Sequence, residues 1–381
     1  MDSSRQDAHD LGGDSARAVY RDLLRFGPRS RSGLSARLGL SAPTVTRVTR
    51  DLLEGGHLHP LDTVPLAKGR PQEPLDIEEN LGPRFVGVKA TADEIHAVVT
   101  TVRGNLLEEL VLPHAATRPD DLLAAISAPV EALMAAHPRV IGVGVSLGAR
   151  VAGRRSVLSS SLLHWDEPVD VGGLLGSRLG LPVTVENDLF AMVQGLHWFG
   201  VGRAYRSFCV LTVGAGVAIG SVIDGRLVEG RSHLAGLTEQ LPARVGPDGA
   251  VLTLGQVARL DALLDEARRR GLLTPEDGLE ALREQLRAGK PGARRLVADL
   301  ARDLARTASA LVAVLDPEAL LIGGETVDLV READGLFEEV LRAAVHPVQR
   351  DLVIRLLSGD FDDWARGAAV IAIQQHVGVP A

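Results

Sequence analysis

One cysteine, Cys209, occurs in the 381 residues. With no second thiol, the chain can form neither an internal disulfide nor a thiolate metal cluster, and the apolar surroundings SFCVLTVG read as a buried strand. Lysine is nearly as scarce. It occurs at Lys68, Lys89 and Lys290 alone, so arginine dominates the 41 basic residues, a bias that points to a GC-rich genome rather than to a function. No apolar run reaches the roughly 18–20 residues needed to cross a bilayer. The first residues, MDSSRQDAHDLGGDSAR, are polar and acidic, unlike the basic-then-apolar start of a signal segment. These absences exclude a disulfide scaffold and a helical membrane span, and the expectation is a soluble, unexported, cytoplasmic protein with no membrane partner.

What is present is length, glycine and an uneven charge. The chain suffices for two or three domains, each with its own core. Apolar residues at 45% and 41 glycines suit an α/β protein with many tight strand-to-helix turns. The formal charge of -8 is not evenly spread. Residues 15–74 hold 10 Lys/Arg and 5 Asp/Glu, a net +5, which leaves 31 basic and 44 acidic residues, or -13, for the remainder. A short basic segment on an acidic body suggests that one part meets nucleic acid and the other does not.

That basic segment has an internal order. In SARAVYRDLLRF the apolar residues fall on one helical face, and Gly27-Pro28 stops the helix. A second short helix, residues 32–38, is followed by Gly39. Ser41 then caps a third helix that has Pro43 in its first turn, with Val45, Val48, Leu52 and Leu53 inward and Thr44, Thr46, Arg47 and Arg50 outward. Helix, glycine turn, helix is the arrangement that lays its second helix in the major groove. The following segment, HLHPLDTVPLAKGRPQEPLDI, reads as two strands around a turn carrying Lys68 and Arg70, a wing able to reach a minor groove. The DNA-contacting set expected is therefore Ser41, Thr44, Thr46, Arg47, Arg50, Lys68 and Arg70. The plainer alternative is a helical subdomain with solvated arginines.

From about Pro83 the pattern turns to alternating strands and helices: FVGVKA, EIHAVVTTV, NLLEELVL, a helix over 119–136, then VIGVGVSL. This predicts an α/β architecture with ligands in a cleft between halves. Four landmarks follow in order: RVIGVGVSLGARV; SLLHW with LPVTVENDLFAMVQGLHWFG; LTVGAGVAIGSVIDGRLVEG; and LDPEALLIGGE. Their order resembles the ROK family of sugar kinases and sugar-responsive repressors, and the resemblance covers nearly the whole chain. It implies a two-lobed actin-like (RNase H-like) ATPase-fold domain, and the regulators of that family carry an N-terminal winged helix-turn-helix that the kinases lack. The implied division is a tail at 1–14, a winged helix-turn-helix at 15–78, and an effector and oligomerisation domain at 84–381. Its lobes are expected at about 84–190 with the helix 362–376, and about 191–360.

The departures from the family pattern bear on activity. Where its kinases have an Asp-x-Gly-Gly-Thr phosphate loop, this chain reads Lys89-Ala90-Thr91-Ala92-Asp93. Phosphoryl transfer depends on positioning and charge neutralisation, so this pattern predicts no catalytic residues and no enzyme activity. Gly214-Ala215-Gly216 keeps the glycines of a second loop, which a tight turn alone also explains. Asn187-Asp188 matches the pair that meets sugar hydroxyls and supplies the base, and capping of the next helix is the alternative. Trp165 stands at an aromatic position near the sugar, or is core, and Ser161 stands where Asn is usual. Beyond Gly230, Glu239 and Gln240 are the remaining candidates for the sugar-site residues. The zinc-binding His is lost, and GAVLTLGQVARL has no cysteine, so no zinc or other cofactor is expected. The reading is a transcriptional repressor on a double-stranded operator, an inverted repeat bound by a homodimer or homotetramer. A small-molecule effector, a sugar or sugar derivative, is expected at Asn187, Asp188, Trp165, Ser161, Glu239 and Gln240. The alternatives are a sugar kinase with a DNA-binding extension, or a regulator that has lost sugar and senses another metabolite.

Overall fold

The computed structural model describes residues 10–62, 73–246, 248–357 and 362–379. The chain divides into two units, residues 1–201 with 361–381, and residues 202–360.

The first unit begins with three helices, α1 (Asp14–Phe26), α2 (Arg31–Leu38) and α3 (Ala42–Glu54), with strand β1 (Arg29–Ser30) before α2. Val19, Tyr20, Leu23 and Leu24 form the buried stripe of α1, which ends at Gly27 in a left-handed conformation, φ 82°. Ser41 accepts the Thr44 N–H and so caps α3. Strands β2 (Leu58–Pro60) and β3 (Pro74–Ile77) complete a small sheet of order β1-β3-β2. Three helices, with Gly39 between the last two, and a β-hairpin form the head of this unit; the hairpin's connecting residues 63–72, with Lys68 and Arg70, lie outside the described residues. Asp22, almost fully buried on α1, pairs with Arg29 and Arg37 and clasps α2 to it.

The body of this unit is a five-stranded sheet. Strands β4 (Arg84–Ala90), β5 (Glu94–Thr101) and β6 (Leu106–Pro113) form an antiparallel meander. Parallel strands β7 (Val140–Leu147) and β10 (Val183–Asn187) extend it beside β4, with a small hairpin, β8 (Arg150–Ala152) and β9 (Ser156–Ser159), between them in the chain. Helices α4 (Pro119–Ala136) and α5 (Val171–Leu179) bury Ile126, Val130, Leu133 and Leu175 against one face. Helices α6 (Asp188–Trp198) and α13 (Asp362–His376) lie on the other. The helix α13 sits directly on the strands because Gly87 and Gly144 leave room for its backbone. A Cβ there would fall 2.0 Å from the Ala365 carbonyl oxygen and 1.7 Å from that of Ala368.

The three-helix head shares its core with this body. Tyr20, Leu24, Leu58 and Ile77 pack in one cluster with Phe85, Ile141, Trp198, Ile373 and Val377. Polar contacts reinforce the seam: Arg25 lies 3.2 Å from Nε2 of His197 and over the Trp198 ring, and Arg103 pairs with Asp76.

The second unit repeats the plan. Strands β11 (Phe208–Val213), β12 (Val217–Ile223) and β13 (Arg226–Leu227) form a meander, and parallel strands β16 (Ala319–Gly323) and β17 (Val353–Leu356) extend it beside β11. Between them come the hairpin β14 (Pro242–Val245) and β15 (Val251–Thr253), then α7 (Leu254–Ala258), α8 (Leu260–Arg269), α9 (Leu279–Arg287) and the long α10 (Pro291–Leu315). Helices α11 (Val327–Arg331) and α12 (Leu336–Ala344) precede β17. Leu296, Leu300, Leu304 and Ala308 of α10 and Phe337 and Leu341 of α12 build its core with the strands.

Candidate functional site

Three places carry the residues singled out from the sequence. The first is the exposed face of α3. Thr46, Arg47 and Arg50 are exposed, with the two arginine side chains 62% and 65% accessible, while Val45, Val48 and Leu52 are buried on the opposite face. Among the described residues Arg47 and Arg50 form ion pairs with Asp51 and Glu54 of their own helix, surface pairs that cost little to exchange for phosphate or base contacts. Ser41 and the half-buried Thr44 hold each other through their hydroxyls at 2.8 Å, so both serve the cap.

The second place is the junction of β4, β7, β10 and α6. Strand register sets Lys89 between His96 of β5 and Ser146 of β7, at the position where the kinase pattern has a carboxylate. Its ammonium is directed neither to solvent nor to a loop. It makes a very short ion pair with Oδ2 of Asp188, the Lys89 side chain being 6% exposed and that of Asp188 20%. The Trp364 ring on α13 lies 5.2 Å from the ammonium and adds a cation–π contact. The other Asp188 oxygen accepts the N–H of Leu189. Both carboxylate oxygens of Asp188 are thereby engaged within the chain. Asn187 is equally committed: its oxygen accepts the Phe190 N–H as the cap of α6, and its amide nitrogen donates to the Ala149 carbonyl. Asp93 is exposed beside Thr91 and closes a local turn. Trp165 is a core residue, 5% exposed, with its indole N–H donating to the Thr117 carbonyl. Ser161 is exposed in the turn before it.

The third place is the glycine loop between β11 and β12. Backbone N–H groups of such loops are natural anion sites. Here two are already given to carboxylates of the chain: Ala215 N–H donates to Oε2 of Glu325 at 3.0 Å, and Val217 N–H to Oε1 of Glu239 at 3.4 Å. Gly214 is needed for the close approach, because a Cβ there would stand 2.9 Å from the Glu325 carboxylate. Gly324, at φ 97°, makes the turn that delivers Glu325, and a Cβ on it would meet the Val213 carbonyl oxygen at 2.4 Å. Gln240 is exposed beside Glu239. In the segment where the family pattern has its zinc ligands, Ala243, Leu254, Val257 and Ala258 enter the apolar core. No cluster of three or more His, Cys, Asp or Glu side chains suited to a metal occurs among the described residues, and no helix there is long and apolar enough to cross a membrane.

Sequence reasoning did not assign Trp364 or Glu325 a role. The only trace of the latter was the acidic third residue of Gly-Gly-Glu, inside a landmark noted for its glycines.

A glucokinase of Streptomyces coelicolor is 30% identical over 316 residues, which span 76% of this chain and 92% of that protein. A transcriptional regulator of Mycobacterium bovis is 25% identical over 384 residues, with 95% and 86% covered. The crystal structure of a ROK family transcriptional regulator, a homologue of the E. coli MLC protein, matches with a TM-score of 0.79 at 23% identity and covers 96% of each chain. The similarity to the kinase thus leaves about a quarter of this chain outside it, whereas the regulators extend over nearly all of it. The α/β fold is that of the ROK proteins, and with residues 85–375 matching the ROK family, the chain belongs to that family.

Proposed function

We propose that this protein is a DNA-binding transcriptional repressor whose operator affinity responds to a small molecule, and that it does not transfer phosphoryl groups. The observation that carries the reading is the outer face of α3, where Thr46, Arg47 and Arg50 stand exposed on a capped helix whose other face is buried. Long guanidinium side chains on such a helix reach base edges in a major groove and neighbouring phosphates. Lys68 and Arg70 complete the proposed contact set from the wing. Arg47→Ala is expected to weaken operator binding by about 1–3 kcal/mol and to relax base preference, measured by titration of a genomically selected fragment at fixed salt. Unchanged affinity in both Arg47→Ala and Arg70→Ala refutes the docking.

A single head offers little contact area for high specificity, so we place a homodimer or homotetramer on an inverted repeat. Light scattering that finds only monomer at micromolar concentration, with and without operator, removes that part of the proposal.

The effector is proposed to be a hydroxylated small molecule of the sugar class that shares Asp188 with Lys89. A hydroxyl both donates to the carboxylate and accepts from the ammonium, so it enters this pair without leaving either charge unpaired. Binding moves an operator equilibrium by its differential affinity for two states, and needs no turnover. Lys89 on Asp188 and Glu325 on the glycine loop both support the absence of catalysis. The similarity to a glucokinase favours a second reading, a sugar kinase carrying a DNA-binding extension. A coupled assay of ADP release with ATP and a panel of hexoses and N-acetylhexosamines separates the two, since sugar-dependent turnover establishes the kinase.

A further inference from the structure

The second unit contains a cavity of about 880 Å³ bounded by the hairpin β14–β15, α7, α8 and the middle of α10. Val257, Leu263, Leu296 and Leu300 give it an apolar wall. At its floor stands Asp303, 2% exposed, whose Oδ2 accepts no hydrogen bond although Arg244 Nη1 lies 3.0 Å away as an ion-pair partner. Asp303 Oδ1 has Arg306 at 3.5 Å. Burial pushes the Asp303 carboxyl above its ordinary value, as expected for an acceptor short of donors. A buried carboxylate oxygen whose nearby donor is not aligned for a hydrogen bond is uncommon in folded proteins.

The rim limits what can supply the missing donor. Arg270 is bound by Glu266 at 2.7 Å and by Asp299 at 3.0 Å. Arg269 is bound by Glu266 at 2.8 Å, and Asp265 by Arg268 at 2.7 Å. The charges around the mouth therefore cancel in pairs, and neither a strongly anionic nor a strongly cationic ligand is selected there. What remains is one acceptor, Asp303 Oδ2, beside one guanidinium, Arg244, over aliphatic carbon. A hydroxyl serves both, donating to the first and accepting from the second, while the carbon it is attached to rests on the leucines.

We propose that this cavity, bearing the unsatisfied Asp303 carboxylate beside Arg244, is a second small-molecule site that takes a neutral hydroxylated ligand with an apolar face, such as a polyol. It involves none of the residues of the proposed effector site, and the operator reading does not depend on it.

The test uses the full chain and erythritol as probe, followed by saturation-transfer NMR of the sugar alcohol's protons. Wild type and Asp188→Asn are expected to give a signal, and Asp303→Leu to fall to the protein-free background. Asp303→Leu leaves the partly exposed Arg244 without its buried partner, so it is expected to melt somewhat below wild type while remaining folded at the temperature of the measurement. Should it fail to fold, Ala262→Phe closes the cavity from α8 without touching the Asp303–Arg244 pair, and it is expected to abolish the signal as well. A folded Asp303→Leu or Ala262→Phe that retains the full signal overturns the proposal. So does displacement of erythritol by butylammonium at equal concentration, which would make the site one for cations, or a soaked crystal holding water alone between Asp303 and Arg244. Loss of signal in Asp188→Asn with retention in Asp303→Leu assigns the polyol to the other site and also overturns it.

Discussion

The two places where kinase-like landmarks survive have been closed by charges of opposite sign. At the end of β4 a lysine stands in place of a carboxylate and neutralises Asp188 from inside a nearly dry pocket. At the glycine loop, Glu325 and Glu239 occupy the N–H groups that would otherwise face an anion. The first closure is buried and the second is exposed or half-buried. Coulombic attraction and desolvation are both large in the first and screened in the second, so the same idea, an internal counter-charge, has unequal energetic weight in the two halves of the chain.

The largest effect expected from this difference is at Asp188. Asp188→Ala leaves the Lys89 ammonium buried without its partner, and the loss of stability is expected to be about 3–5 kcal/mol. Lys89→Met leaves instead a carboxylate that retains the Leu189 N–H and 20% of its side-chain surface, with an expected cost of about 1–3 kcal/mol. Urea unfolding of both variants measures the asymmetry. Equal losses, or none in either, mean that the pair is solvated in solution and that the contrast between the two closures is false. One consequence is practical: Asp188→Asn, which keeps the size and one of the two acceptor oxygens, is the better probe of effector response.

A buried contact held by a neutral group supplies the next comparison. Burial holds the His197 ring down to about 4, and the neighbouring Arg25 guanidinium acts in the same direction. Arg25 at 3.2 Å can donate to Nε2 only while that nitrogen is unprotonated. The unfolded chain takes up this proton near the ordinary value of 6.5, whereas the folded chain waits until about 4. The contribution is therefore complete above pH 6.5 and declines as the pH falls, by about 3 kcal/mol at pH 4. The stability difference between wild type and His197→Gln is expected to follow that curve. A pH-independent difference between pH 7 and 4 means that the seam of head and body is wetter than its 6% exposure of His197 implies.

The sequence makes one side of each of these contacts visible. Helix α3, its Ser41 cap and its outward Arg47 and Arg50 follow from periodicity and local hydrogen bonding, and the structure has them where the pattern puts them. Strands β4 to β7 and helix α4 are equally legible, because alternation and length are local properties. That Lys89 replaces an acidic residue is also plain, yet its partner lies 99 positions away, and Glu325 lies 110 from Ala215. Periodicity carries no information about which distant side chain meets which, so Lys89 read as a feature of a nucleotide loop when it belongs to Asp188. Asn187 and Trp165 have two readings each from sequence; in the structure the Asn187 oxygen caps α6 through the Phe190 N–H while its nitrogen donates to the Ala149 carbonyl, and the buried Trp165 indole donates to the Thr117 carbonyl.

The smallest effect concerns the exposed closure. Glu325→Ala frees the Ala215 N–H to water, so its cost to stability is expected to be under about 1 kcal/mol. Its value lies in ligand binding. With the carboxylate gone, the loop regains an unoccupied donor, and calorimetric titration with pyrophosphate is expected to detect weak binding that wild type lacks. Turnover of ATP with glucose is not expected, because Lys89 still holds Asp188 and the loop after β4 still lacks its glycines. If Glu325→Ala gains no anion affinity, Gly214-Ala215-Gly216 is only a turn, and the symmetry between the two closures fails on the exposed side. If it gains sugar-dependent ADP release, the comparison fails on the buried side instead, since a proton must then leave the sugar with Asp188 still paired, and the lysine is not what removes catalysis.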